Sequence, residues 1–100
     1  MNKNKSIMLL QQSQEGKEVR FELSAAPASK VFVAGSFNNW NPTANPMKDN
    51  PDSGHFKAQL HVPEGRHEYK FVVNGGWITD PKCAESAPDG FGSINSVLIV

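Results

Sequence analysis

The feature that most constrains this chain is a series of short apolar runs separated by turn-forming residues. No stretch repeats apolar residues with the period of a helix. In residues 19–23, 56–62 and 67–73 they instead alternate with polar or charged residues. Residues 31–34 and 94–100 are more continuously apolar. This pattern predicts an all-β chain that forms an antiparallel β-sandwich of about seven to eight strands.

Two turn sequences predict which strands are neighbours. A four-residue loop at residues 63–66 would pair residues 56–62 with residues 67–73 as a hairpin, with the apolar side chains of both on one face. Asn74-Gly75 is typical of a two-residue type I′ turn and predicts a second hairpin.

The second hairpin places a large aromatic residue on the outside of the sheet. Its register pairs Phe71 with Ile78, whose side chains would point into the core, and Val72 with Trp77. Trp77 then lies on the outer face, with Lys70 as a diagonal neighbour. This position favours a ligand or partner surface, although a partly buried ring or a contact with a neighbouring domain is an open alternative.

An exposed indole beside hydrogen-bonding groups is typical of a sugar site. Flat rings stack on the C–H faces of pyranoses, and fixed donors and acceptors bind the hydroxyls. Trp40 ends a polar, turn-rich loop after residues 31–34 and is a second candidate, although it could equally anchor that loop on the sandwich rim. Lys70 taken alone is more consistent with a solvated lysine on a sheet face than with a ligand contact.

Composition argues against several partners and compartments. The chain has ten Lys plus Arg and ten Asp plus Glu, so no net charge draws it to nucleic acid or to an anionic membrane. The apolar run at residues 7–10 is too short for a secretory signal, and no stretch approaches a membrane span. Cys83 is the only cysteine, which fits a reducing compartment and assigns it no role. These features predict a soluble, cytoplasmic protein.

Catalysis, metal binding and cofactor binding find no support in the sequence. Glycoside hydrolysis needs two carboxylates in a cleft, roughly 5–9.5 Å apart. Asp80, Glu85 and Asp89 share a loop region rich in Pro and Gly, where carboxylates usually form turns. The expected register puts His61 and His67 on opposite faces, which disfavours a metal site. We therefore predict no catalytic residue, no metal and no cofactor.

Several blocks of the sequence are similar to one known family. They occur in its order and at nearly its spacings, and they are VAGSFNNW (33–40), PEG (63–65), HEYKFVVNGGW (67–77), DP (80–81) and GSIN (92–95). The blocks closely resemble the family 48 carbohydrate-binding modules, among them the glycogen-binding domain of the AMP-activated protein kinase β subunit. The resemblance covers roughly residues 17–100. It implies an immunoglobulin-like (early set) sandwich that binds glycogen or starch without cleaving it.

The resemblance also implies a set of sugar-binding positions. The matching residues in this sequence are Trp40, Lys70, Trp77, Phe91, Ser93 and Asn95. In the family the two tryptophans stack on glucose units, while the lysine, the asparagine and a hydroxyl residue bind sugar hydroxyls. Phe91 stands where the kinase subunit has a leucine that projects into the hollow of the curved glucan.

This sequence departs from the kinase subunit near Phe91. The loop at residues 82–90 is about one residue longer than in the kinase subunit, as judged from the motif spacing. A phenylalanine at the tip either strengthens the apolar contact or blocks the channel. Two non-binding placements also stay open: Phe91 packs back on the sandwich, or Asn95 caps its own loop.

The organisation and function that we expect follow from these observations. Residues 1–16 are expected to be a flexible or weakly ordered segment, or an edge strand, and residues 17–100 to be the carbohydrate-binding sandwich. The main hypothesis is non-catalytic binding of an α-1,4-glucan. The alternative is a protein-interaction or accessory module with a weak or unused sugar site. A third hypothesis is a small hydrolase, which the lack of a paired-carboxylate site disfavours, or a module cut from a family 13 glycoside hydrolase. The expected partners are an α-glucan and, further, a protein, but neither nucleic acid nor membrane.

Overall fold

The computed structural model describes residues 16–50 and 53–100. They contain β-strands, one short 3₁₀ turn at Ser36–Asn38 and no α-helix. The strands are β1 (Lys17–Ser24), β2 (Val31–Gly35), β3 (Pro46–Asn50), β4 (His55–Val62), β5 (Arg66–Val73), β6 (Gly76–Ile78), β7 (Ser86–Pro88) and β8 (Ile94–Ile99).

The strands pair in the order β1-β4-β3-β2-β5-β8-β7, and β6 pairs with β5. All of these pairings are antiparallel. Strand β3 links the two layers, because Met47 pairs with Val31 of β2 whereas Lys48 pairs with Lys57 of β4. The sheet therefore curls on itself, and the predicted all-β antiparallel sandwich is confirmed.

Large apolar side chains from both layers meet between them. Phe21 from β1 and Phe56 from β4 pack with Tyr69 and Phe71 from β5, and all four are buried. The ring of Tyr69 contacts Phe21 edge to face, with centroids 5.1 Å apart. Burying each such side chain stabilises the fold by about 2 kcal/mol, so this core fixes the positions of the strands that carry the outer face.

The hairpin predicted at residues 63–66 is wrong. Strand β4 pairs with β1 and β3, whereas β5 pairs with β2, β6 and β8. Residues 63–65 arch from one layer to the other, and the N–H of Gly65 donates to the carbonyl of Val100 at 2.9 Å. Phe56 and Phe71 are both buried as predicted. An alternating pattern identifies the inward face of a strand, but it is the same whether two strands lie side by side or face each other across a core.

The hairpin predicted at Asn74-Gly75 is confirmed. Both residues have positive φ, 49° and 86°, as a type I′ turn requires. The register pairs Val72 with Trp77 and Phe71 with Ile78, as expected. The expected burial of Ile78 is wrong, because its exposed fraction is 41%. Strand β6 has three residues and lies at the margin of the layer, where its inner side is uncovered.

Two further predictions from the sequence concern membrane spans and residues 1–16. In the part of the chain that the structure describes, no helix has the length and apolar character needed to cross a bilayer. Of residues 1–16, only Gly16 lies within the described residues, so the expectation of a weakly ordered segment or edge strand stays a prediction.

Candidate functional site

The outer face of β5 carries a row of polar side chains. Because strand residues alternate, Arg66, Glu68 and Lys70 point away from the core that Tyr69 and Phe71 enter. Side chains from neighbouring elements complete a groove of about 650 Å³ over this face, here called the outer groove. Its lining residues are Ser36, Trp40, Arg66, Glu68, Trp77, Asp89, Phe91 and Asn95.

Two tryptophans form the aromatic part of the outer groove. The ring centroids of Trp40 and Trp77 are 6.4 Å apart, and the ring planes are inclined at 45°. The exposed fraction of Trp77 is 45%, and the residue pairs with Val72 as the hairpin register predicts. The sequence therefore places Trp77 correctly on the outer face.

Trp40 reaches the groove through a strained backbone. Trp40 and the preceding Asn39 have φ values of 57° and 59°, a region that bulky residues rarely adopt. Such a conformation costs on the order of 1–2 kcal/mol and persists only where the surroundings enforce it. Here the N–H of Trp40 donates to the carbonyl of Gly35 at 2.8 Å. Trp40 thus faces Trp77 in the groove instead of only anchoring its loop.

Asn38 holds the loop that carries Trp40. Its Oδ1 accepts the N–H of Gly35 at 3.0 Å, and its Nδ2 donates to the carbonyl of Val33 at 3.1 Å and to Oδ1 of Asn45 at 2.6 Å. A side chain that bonds on both sides of a loop fixes the backbone path. These bonds therefore hold the backbone of the loop that carries the indole.

Glu68 orients Asn95. Nδ2 of Asn95 donates to Oε1 of Glu68 at 2.9 Å, and the Arg66 guanidinium donates to Oε2 at 2.7 Å. The first of these bonds and then the second hold the pKa of Glu68 below its ordinary value. An ionised carboxylate only accepts hydrogen bonds, so the amide nitrogen of Asn95 must face it and the amide oxygen faces away. The amide nitrogen of Asn95 is therefore bonded across to β5 and not to its own loop.

Lys70 lies beneath the loop of residues 89–93. It is 9% exposed, and its Nζ donates to Oδ2 of Asp89 at 3.1 Å and to Oγ of Ser93 at 3.3 Å. Asp89 also accepts backbone N–H bonds through Oδ1, from Phe91 at 2.7 Å and from Ser93 at 3.1 Å. The bond from Phe91, followed by that from Lys70, lowers the pKa of Asp89 against the opposing effect of burial.

Phe91 is one of the residues that line the outer groove. Its side chain is 93% exposed, so it does not pack back on the sandwich. An aromatic residue this exposed, which lines the same groove as two tryptophans, adds to an apolar patch of the kind that marks binding surfaces.

The structure brings together four of the six predicted residues directly. Trp40, Trp77, Phe91 and Asn95 line the outer groove. Lys70 and Ser93 join it through their bonds to Asp89.

Four groove residues are absent from the sequence-based set, namely Ser36, Arg66, Glu68 and Asp89. A signal for two of them is present, because Arg66 and Glu68 share the outward parity of Lys70 in β5. Asp89 is correctly interpreted as a turn former, since it closes the turn at Phe91 and Ser93. Its bond to Lys70 depends on a contact across nineteen residues, which no local pattern reveals.

The charged groups of the groove do not suit glycoside hydrolysis. That reaction requires one carboxyl that stays protonated near neutral pH, hence a raised pKa. Glu68 and Asp89 are instead each paired with a cation, Arg66 and Lys70 respectively, and the pKa of each carboxyl lies below its ordinary value. Among residues 16–50 and 53–100, no three His, Cys, Asp or Glu side chains are grouped as metal ligands.

Cys83 lies outside the outer groove. Its Sγ donates to the carbonyl oxygens of Glu85 at 3.2 Å and Val97 at 3.3 Å. These contacts fasten the loop before β7 to strand β8.

Among known proteins, this chain is similar to β subunits of 5'-AMP-activated protein kinase. The mouse and human 5'-AMP-activated protein kinase subunits beta-2 are each 41% identical to this chain over 71 residues, which is 71% of the chain and 25% of each relative. A pig 5'-AMP-activated protein kinase subunit beta-1 is 37% identical over 71 residues, 71% of the chain and 54% of that relative. The chain thus spans about a quarter of the length of the mouse and human relatives.

A family model described as the glycogen recognition site of AMP-activated protein kinase matches residues 17–100. The match covers all of the described strands and confirms the resemblance on which the sequence-based site rests. The chain belongs to this family of glycogen recognition domains.

Proposed function

We propose that this chain binds an α-1,4-linked glucan of the glycogen or starch type in the outer groove, without cleaving it. The inclined tryptophan pair carries the proposal, with ring planes at 45° and centroids 6.4 Å apart. An α-1,4 chain is bent, so the faces of successive glucose units are inclined to each other. Two inclined rings can stack on such neighbours, whereas a straight β-1,4 chain calls for coplanar rings.

The polar groups of the groove would bind the sugar hydroxyls. Asn95 presents its amide oxygen as an acceptor, because Glu68 takes its amide nitrogen. Lys70 has three N–H donors and uses two on Asp89 and Ser93, which leaves one for a sugar oxygen. Ser93 would add a hydroxyl contact, and Phe91 would enter the hollow of the curved chain. No step in this recognition calls for a cofactor.

A protein partner is a second proposal, because the relatives are named as subunits of a kinase. The chain covers only a part of those proteins. A related proposal has such a module accompany a family 13 glycoside hydrolase. That attachment leaves the role of the groove unchanged, since the module would hold the glucan while another domain cleaves it. In either setting we place the chain in the cytoplasm, where a lone Cys83 stays reduced.

Titration with a closed and a straight glucan tests the proposed function. We expect saturable binding of β-cyclodextrin, a closed mimic of the bent α-1,4 chain, and none of cellohexaose at the same concentration. Calorimetry measures the affinity, and ¹H–¹⁵N spectra should show the indole N–H signals of Trp40 and Trp77 shifting together. Equal binding of both sugars would contradict recognition of the bend. No binding at millimolar β-cyclodextrin would favour the protein-interaction alternative.

Replacing Glu68 by glutamine should weaken glucan binding by about fivefold. A glutamine cannot accept from both Arg66 and Asn95 in the present geometry, because one of its two groups is a donor. Loss of one charged hydrogen bond is worth about 1 kcal/mol, and Asn95 becomes free to turn. Calorimetry with β-cyclodextrin measures the loss. The matched control is Glu22→Gln on β1, in the opposite layer. An unchanged affinity of Glu68→Gln would show that Glu68 does not orient Asn95.

A further inference from the structure

Packing does not hold Phe91 where it stands. Its side chain is 93% exposed, so the sandwich makes almost no contact with the ring. Its two neighbours are Gly90 and Gly92, with φ values of 86° and 91°. Glycine accepts this region and many others, so the tip has little intrinsic preference for one conformation. Something else must fix the direction of the ring.

The Asp89 side chain supplies that constraint. Through Oδ1 it accepts the N–H of Phe91 at 2.7 Å and the N–H of Ser93 at 3.1 Å. Its own N–H donates to the carbonyl of Ser93 at 3.1 Å. The turn of residues 89–93 is thus closed from both ends by one residue, and Phe91 is its tip.

Lys70 ties this closed turn to the sheet. Its Nζ donates to Oδ2 of Asp89 at 3.1 Å and to Oγ of Ser93 at 3.3 Å. The Lys70 side chain is 11% exposed and that of Asp89 is 14% exposed, so water screens the pair far less than a surface ion pair. A shielded ammonium without a partner is strongly disfavoured, which keeps the turn down on β5.

We propose that Asp89 is a positioning residue for glucan recognition, which holds Phe91 over the outer groove by closing residues 89–93 onto Lys70. Lys70 anchors this turn with two of its three N–H donors and keeps the third for a sugar oxygen. The effect on binding rests on the proposed function, whereas the order of the turn is a property of the free protein. A turn ordered in advance avoids the entropy cost of fixing Phe91 when the glucan binds.

Asp89→Ala and Asp89→Asn separate the two parts of the constraint. In the free protein, ¹⁵N relaxation should show Gly90, Phe91 and Gly92 becoming mobile in Asp89→Ala. Asp89→Asn keeps an Oδ1 acceptor for the backbone but sets an amide N–H₂ against Lys70, so its turn should be of intermediate mobility. Melting temperatures of both variants and of the control Glu22→Ala on β1 show whether the fold is intact. If the three amides in Asp89→Ala are as rigid as in the parent protein, the proposal is overturned.

A double-mutant cycle tests whether Asp89 acts through Phe91. We expect Asp89→Ala to weaken β-cyclodextrin binding about fivefold, the cost of ordering one side chain and its turn. In a Phe91→Ala background the same change should cost much less than fivefold, because only its effect on Lys70 and Ser93 remains. A fivefold loss in both backgrounds would overturn the proposal, because Asp89 would then act on another group. If the parent protein binds no glucan, the proposed function fails, and the relaxation measurement alone decides whether Asp89 orders the turn.

Discussion

Trp77→Ala is expected to lower the affinity for β-cyclodextrin by about 30-fold, which is about 2 kcal/mol. Trp77 is 45% exposed on the outer face, so a glucose unit can cover its ring without displacing protein. Covering roughly 50 Å² of that ring contributes about 1 kcal/mol, and the stacking geometry adds about 1 kcal/mol more. Alanine removes both contributions and leaves Trp40 without its inclined partner. Calorimetry measures the loss, and the melting temperature should change little because the ring is not part of the core.

Ile78→Ala is the matched control for this prediction. Ile78 follows Trp77 in β6, is similarly exposed at 41%, and points to the opposite side of the strand. The Ile78→Ala substitution therefore removes an apolar side chain from the same strand but leaves the outer groove intact. If the affinity of Trp77→Ala for β-cyclodextrin is within twofold of that of the parent protein, the glucan does not stack on this ring. An equal loss in Ile78→Ala would show that the strand, not the ring, matters.

Local sequence signals predict the parts of this fold that local physics decides. Asn74-Gly75 specifies a type I′ turn because both residues tolerate positive φ, and the observed register of Phe71 and Val72 follows from it. Local sequence does not determine which strands pair with β4. Its apolar face is predictable, but its partners β1 and β3 are chosen by how two layers close over one core. Residues 63–65 have the composition of a hairpin loop and yet connect the layers.

The candidate site divides in the same way. Trp77 and Lys70 follow from parity in a hairpin, and the resemblance to a family of glucan-binding modules adds Trp40 and Asn95. The polar contacts that hold these side chains do not follow, because they join strands that are distant in sequence. Glu68 meets Asn95 across twenty-seven residues, and Lys70 meets Asp89 across nineteen. The residues that would contact the sugar can thus be predicted from the sequence of single strands. The residues that orient them can be identified only when the order of the strands in the sheet is known.

Gly35→Ala is expected to destabilise the fold by about 3 kcal/mol and to lower the melting temperature by roughly 10 °C or more. Gly35 ends β2 in an extended conformation that any residue could adopt, so the cost is steric. A Cβ there would lie 2.5 Å from the carbonyl oxygen of Glu68, 2.7 Å from the Phe37 ring and 2.8 Å from Cβ of Tyr69. Two of these neighbours belong to β5, so the strands must separate where the core meets the outer groove.

The same change should also disturb the Trp40 loop, because the carbonyl of Gly35 accepts the N–H of Trp40. The indole N–H signal of Trp40 should therefore shift or broaden in Gly35→Ala, while that of Trp77 moves less. Gly76→Ala is the matched control, since a Cβ there meets only the carbonyl oxygen of Val73 at 3.5 Å, an ordinary contact. It should change the melting temperature by no more than a few degrees. A Gly35→Ala protein as stable as Gly76→Ala would mean that β2 and β5 can separate freely. The packing between these strands would then not be what fixes the Trp40 loop over the outer groove.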